Sequence, residues 1–209
     1  MTELSGSGNR HRALVYSGAI AGIAIAVILA YVFGAFSESR GAIKADDMCQ
    51  NLPDRRAAAD TFKSVLPQAA QYDFVMTSTP DPDESYSGTC SAIGDDSQHL
   101  LNLHADMGVA MSWEQWAEQE LPPTTGKVTY FSAGIKGVST SDLAAIYVPC
   151  YSSETNTKQP HNLTIFAHAL KSLKGSDSEV RQELIRLAES FGRYAHREAK
   201  CDLPSRLPD

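Results

Sequence analysis

Cys49, Cys90, Cys150 and Cys201 are the residues whose type and spacing say most about chemistry in this chain. They stand 41, 60 and 51 positions apart, which fits no CxxC metal knuckle and no redox pair. An even number of widely spaced cysteines, all on one side of a long apolar stretch, points to structural disulfides in an oxidising compartment. Used as bridges, these sulfurs are neither nucleophiles nor metal ligands.

The remaining constellations are thinner. His104 and Asp106, two apart on a predicted strand, project to the same side, with His99 on the other. Two ligands make a weak metal set, so no metal and no cofactor are expected. His168 and His196 join them only if the fold brings them close. Asp81, Asp83 and Glu84 lack the residue order of a calcium loop and read as a solvated acidic turn. Gly137 to Ser141 lacks the second glycine and the strand-to-helix turn of a nucleophile elbow, and neither a P-loop nor a GxGxxG occurs. No catalytic residue is assigned on these grounds. Trp113 and Trp116, three apart on a short helix, are either core or a platform for a sugar or protein partner. Asn162-Leu163-Thr164 spells a glycosylation sequon but falls in a predicted strand.

The elements that must position these residues begin with Ala13–Phe36, twenty-four residues without a charge. As a helix this run reaches roughly 36 Å, enough to cross the ~30 Å hydrocarbon core of a bilayer. It is expected to be an uncleaved transmembrane helix anchoring the chain to the membrane. A cleaved signal peptide, cut after Ser37 with Ala35 at −3, competes, but the run exceeds a usual signal core. A lipoprotein is excluded by Ala-Asp-Asp-Met before Cys49. Lysines and arginines tie at the two ends, with Arg10 and Arg12 before and Arg40 and Lys44 after. The short tail and the cysteines favour residues 1–12 as cytoplasmic and residues 49–209 as extracytoplasmic. Gly18 and Gly22 form a weak GxxxG, and residues 37–48 read as a small, polar tether.

Residues 45–209 carry 14 basic against 23 acidic side chains, a net −9. Nucleic acid and anionic headgroups would be repelled by such a body. Its pattern predicts a helix over 53–71 and strands at 72–77, 86–93, 99–105, 128–132, 143–151 and 162–172. Ser112 with Gln115, and Ser176 with Glu179, have the spacing of capping boxes that open two helices. The stretch from Gly134 to Asp142 reads as loop. The expected class is α+β, a mostly antiparallel sheet with helices packed on one face.

That topology narrows the cysteine pairing. A hairpin of 143–151 with 162–172, followed by a helix returning antiparallel, brings Cys201 near Cys150. The mirrored arrangement at the start brings Cys49 near Cys90. These two pairs are favoured over the nested alternative, Cys49 with Cys201 and Cys90 with Cys150.

The framing of these cysteines carries a resemblance. Met-Cys-Gln-Asn-Leu-Pro follows the apolar run, then Gly-Thr-Cys in a strand, then Ala-Ala-Ile-Tyr-Val-Pro-Cys. A terminal helix closes on Ala-Lys-Cys-Asp-Leu-Pro-Ser-Arg-Leu-Pro. This resembles the single-pass, membrane-anchored, four-cysteine extracytoplasmic proteins of streptomycete-type actinobacteria. The resemblance implies a cell-envelope location and brings no activity with it.

The expectation is therefore a non-catalytic envelope module, held to the membrane by residues 13–36, that binds an envelope protein or cell-wall component. An extracytoplasmic hydrolase using His104 and Asp106 with a distant histidine is the alternative. A small-ligand sensor is a third, and would need a cavity under the Trp113/Trp116 helix.

Overall fold

Strict alternation of side chains builds the sheet. In β2 (Ser87–Ile93) the buried positions are Gly88, Cys90 and Ala92, and in β3 (His99–Val109) they include Leu101, Leu103 and Ala105. The intervening residues, Thr89, Ser91, Asn102, His104 and Asp106, point to the opposite face. A computed structural model describes residues 39–50, 52–79, 85–123, 126–153 and 159–208. The apolar run 13–36, its GxxxG, the tail 1–12 and the acidic turn at Asp81–Glu84 lie outside the described residues. Among the described residues no helix is long and apolar enough to cross a membrane.

The class is α+β. Seven strands form one fully antiparallel sheet. The others are β1 (Asp73–Thr79), β4 (Thr129–Phe131), β5 (Lys136–Ser139), β6 (Leu143–Tyr151) and β7 (His161–Ala169). Their order is β1-β2-β3-β7-β6-β5-β4, two meanders joined where β3 meets β7. One face carries the main core. Helix α1 (Arg55–Val65) brings Ala58, Ala59, Phe62 and Val65 to it. The long helix α3 (Asp177–Glu198) brings a stripe that includes Val180, Leu184, Leu187, Phe191 and Ala195. Leu184 and Phe191 are wholly buried, each stabilising the fold by about 1.5–3 kcal/mol. The Ser176–Glu179 capping box is formed, with each side chain meeting the other residue's backbone N–H.

Helix α2 (Trp113–Gln119), opened by the Ser112–Gln115 box, lies on the other face. Its Trp116 meets Leu143, Ala145 and Tyr147, the residues of β6 that alternate with Ala144, Ile146 and Val148 on the core side. Helices therefore occupy both faces rather than one, because β6 is apolar on both sides and would otherwise expose the second.

Three further expectations are corrected. Helix α1 stops at Val65, since Pro67 drives Leu66 to extended backbone (ψ 141°). The stretch expected as loop contains β5, a glycine- and serine-bearing strand paired on both sides. The expected tether is part of the folded body from Arg40 onward: Ile43 and Met48 are buried, and Arg40 donates to the Tyr72 hydroxyl at 3.0 Å. Tyr72 in turn donates to Pro67 O at 2.6 Å and accepts from Ala69 N at 2.9 Å.

Both ends of the body are stapled. Cys49 is bonded to Cys90 and Cys150 to Cys201, with Cα–Cα distances of 6.0 and 4.4 Å, and no cysteine is free.

Candidate functional site

Helix α2 is too short to cover the second face. It shields β5, β6 and part of β7, leaving β1, β2, β3 and the near side of β7 open. Register places the open residues in three rows. Val75, Ser91, Asn102 and His168 form one, and Thr77, Thr89, His104 and Phe166 the next. Thr79, Ser87, Asp106 and Thr164 form the third, which continues onto Tyr147 under α2. The open rows are mostly hydroxyl and amide groups that bond to one another across strands. Thr77 and Thr89 share a hydrogen bond of 2.6 Å, and Ser91 donates to Asn102 Oδ1 at 2.9 Å.

His104 and Asp106 are in contact, Nε2 against Oδ2. Burial alone would push the Asp106 carboxyl up. Hydrogen bonds from His104 and Ser87, with the charge of His104, outweigh it and hold the carboxyl below the usual carboxylate value. The Phe166 ring stacks over His104, with centroids 6.4 Å apart and planes 11° from parallel. His104 Nδ1 is buried without a partner. One ring nitrogen is thus held by Asp106 and the other is enclosed without a partner. His168 lies on the same face one row away, whereas His196 sits on α3, across the sheet. Among the described residues no group of three or more His, Cys, Asp and Glu side chains could hold a metal.

The two tryptophans have separate fates. Trp116 is fully buried, stacked on Tyr147 at 5.0 Å and 13°, and its Nε1 donates to Thr164 Oγ1 at 3.0 Å. It is core, not platform. Trp113 is half-buried and meets the exposed Tyr130 edge-on at 5.8 Å. The Lys136 ammonium lies over both rings, 4.8 Å from Trp113 and 5.2 Å from Tyr130.

Where the open and covered halves meet, a cavity of about 200 Å³ opens beside Trp116. Asp106, Gly108, Glu120, Asn162 and Phe166 are among its walls. Asn162 is 6% exposed, a depth that removes it as a glycan acceptor in the folded protein. Sequence reasoning named Asn162 only as a sequon and did not name Glu120. The signal that could have found them is register, since Gly108 and Asn162 are directly paired.

The chain matches no protein-family profile, no curated protein and no solved structure.

Proposed function

We propose that this chain is a single-pass, membrane-anchored, extracytoplasmic binding module that engages an envelope protein or cell-wall component without catalysing a reaction. The half-covered sheet face is the observation that carries this reading. Three rows, made up mostly of short polar side chains, lie beside a bulky helix, forming a shallow step with the Phe166 ring at its edge. Supporting the location are the two disulfides, which suit an oxidising compartment, and the uncharged run at 13–36. The resemblance in cysteine framing agrees with it.

The test places a photo-crosslinking residue at Ser91, on the open face, and in a second variant at Arg56, on the exposed side of α1. On irradiation of intact cells, Ser91 should capture a discrete species and Arg56 should not. Equal capture from both, or none from Ser91, would remove the open face as the contact surface. A cysteine placed at the exposed Arg56 position should react with an impermeant maleimide in the full-length protein on intact cells. Labelling only after lysis would overturn the location.

A further inference from the structure

We infer that the cavity between α2 and strands β3 and β7 is a binding site for a primary alkylammonium group. The inference rests on reading this face as a binding surface, and it names what the cavity accepts.

Asn162 is the first reason. Its side chain lines the cavity, is more than nine-tenths buried, and makes no hydrogen bond to any other described residue. Its amide oxygen is open to the cavity and can accept from a donor that enters from outside. Charge is the second. Two carboxylates, Asp106 and Glu120, line the cavity, and no lysine or arginine does. Asp106 is held ionised at neutral pH by its hydrogen bonds to His104 and Ser87. The body from Arg40 onward carries a net −7, which adds a long-range field of the same sign.

The walls supply the rest. Trp116 and Tyr147, stacked on each other, close one wall together with Phe166. Met107 and Met111 offer adaptable apolar surface to an alkyl stem. An ammonium suits the site better than a guanidinium. A guanidinium prefers both oxygens of a carboxylate, and Asp106 Oδ2 is already engaged by His104. A compact point donor needs only one remaining carboxylate lone pair, with Glu120 and Asn162 to share its other protons. Two sources carry such a group: a free small amine, or a lysine side chain on a partner.

Calorimetric titration of the full-length protein in a nonionic detergent separates them. The probes are 1,5-diaminopentane, Nα-acetyl-lysine methylamide, and the same lysine derivative acetylated on Nε. At least one ammonium probe should bind, and the neutral derivative should not. Binding of the diamine alone assigns a free amine as ligand, and binding of the lysine derivative assigns a side chain. Gly108 lines the cavity, and a Cβ there would meet nothing within 4 Å. Gly108→Val should therefore fill the space without disturbing the fold and weaken binding about tenfold or more. Asp106→Asn should do the same by removing one charged hydrogen bond, itself worth about tenfold. Equal binding of the neutral derivative, no binding of either ammonium probe, or indifference to Gly108→Val overturns the inference. If the amines fail while Ser91 still captures a species in cells, the cavity assignment falls and the open face keeps its role.

Discussion

The indole N–H of Trp116 donates to the hydroxyl oxygen of Thr164 at 3.0 Å, tying the body of α2 to the sheet. A seven-residue helix has little stability of its own, so its place depends on this bond and on the stacking of Trp116 over Tyr147.

Thr164→Val keeps the shape of the side chain and deletes the acceptor. It should destabilise the protein by about 1–3 kcal/mol, the cost of leaving a buried donor unmet. A lower denaturant midpoint with unchanged slope is the expected reading. An unchanged midpoint would mean that apolar contact alone seats the helix.

The disulfides close loops of 41 and 51 residues. Chain entropy gives each about 4 kcal/mol. The paired replacement of Cys150 and Cys201 by alanine should lower unfolding free energy by up to that amount in guanidinium titrations. The Cys49 and Cys90 pair should behave alike, and a loss below about 1 kcal/mol for either would show that its loop is already ordered in the unfolded chain.

His196 gives the body an acid-sensitive step. Burial lowers its pKa below the ordinary histidine value, and backbone groups of Leu203 and Pro149 only partly restore it. The unfolded chain therefore binds this proton more tightly than the folded one. Its contribution is complete above about pH 6.5 and declines as pH falls from there toward the folded value. Asp106, also lowered, acts in a separate window: its contribution is present above the ordinary carboxylate value and is lost at lower pH. Stability measured between about pH 7 and 5 should slope downward, and His196→Gln should flatten that slope while leaving the more acidic limb. A slope that survives His196→Gln would assign it to another group.

Two glycines should respond oppositely to alanine. Gly134 has φ +60°, and a Cβ there would strike the Tyr147 carbonyl oxygen. Gly134→Ala should cost about 1–3 kcal/mol or more from backbone strain and contact together. Gly108→Ala, facing open space on a strand, should change thermal stability little. Comparable losses at both would contradict the geometry of the β4–β5 turn.

What the sequence makes legible is what local physics decides. Both capping boxes are visible because their serine and Glu or Gln partners are only three residues apart. The long α3 stripe is visible because its period matches a helix. The alternation in β2 and β3 already separates Cys90 from Thr89 and Leu103 from His104. The missing pieces all depend on distant partners. β5 has a loop's composition and becomes a strand because β6 and β4 pair with both its edges. Nothing around Ile43 announces burial until Arg40 meets Tyr72 thirty-two residues away. The cavity takes walls from β3, α2, β6 and β7, and no window of sequence holds all four.

The bridge from Cys49 to Cys90 also decides how the body would respond to tension. A pull arriving from the amino-terminal side enters the fold at Arg40 and meets a covalent crossing to β2 nine residues later. Force then bypasses α1 and β1 and travels directly into the strand that bears Thr89 and Ser91. Were that strand held while the amino-terminal side was pulled, the strain would pass through sulfur, leaving the first helix slack and intact.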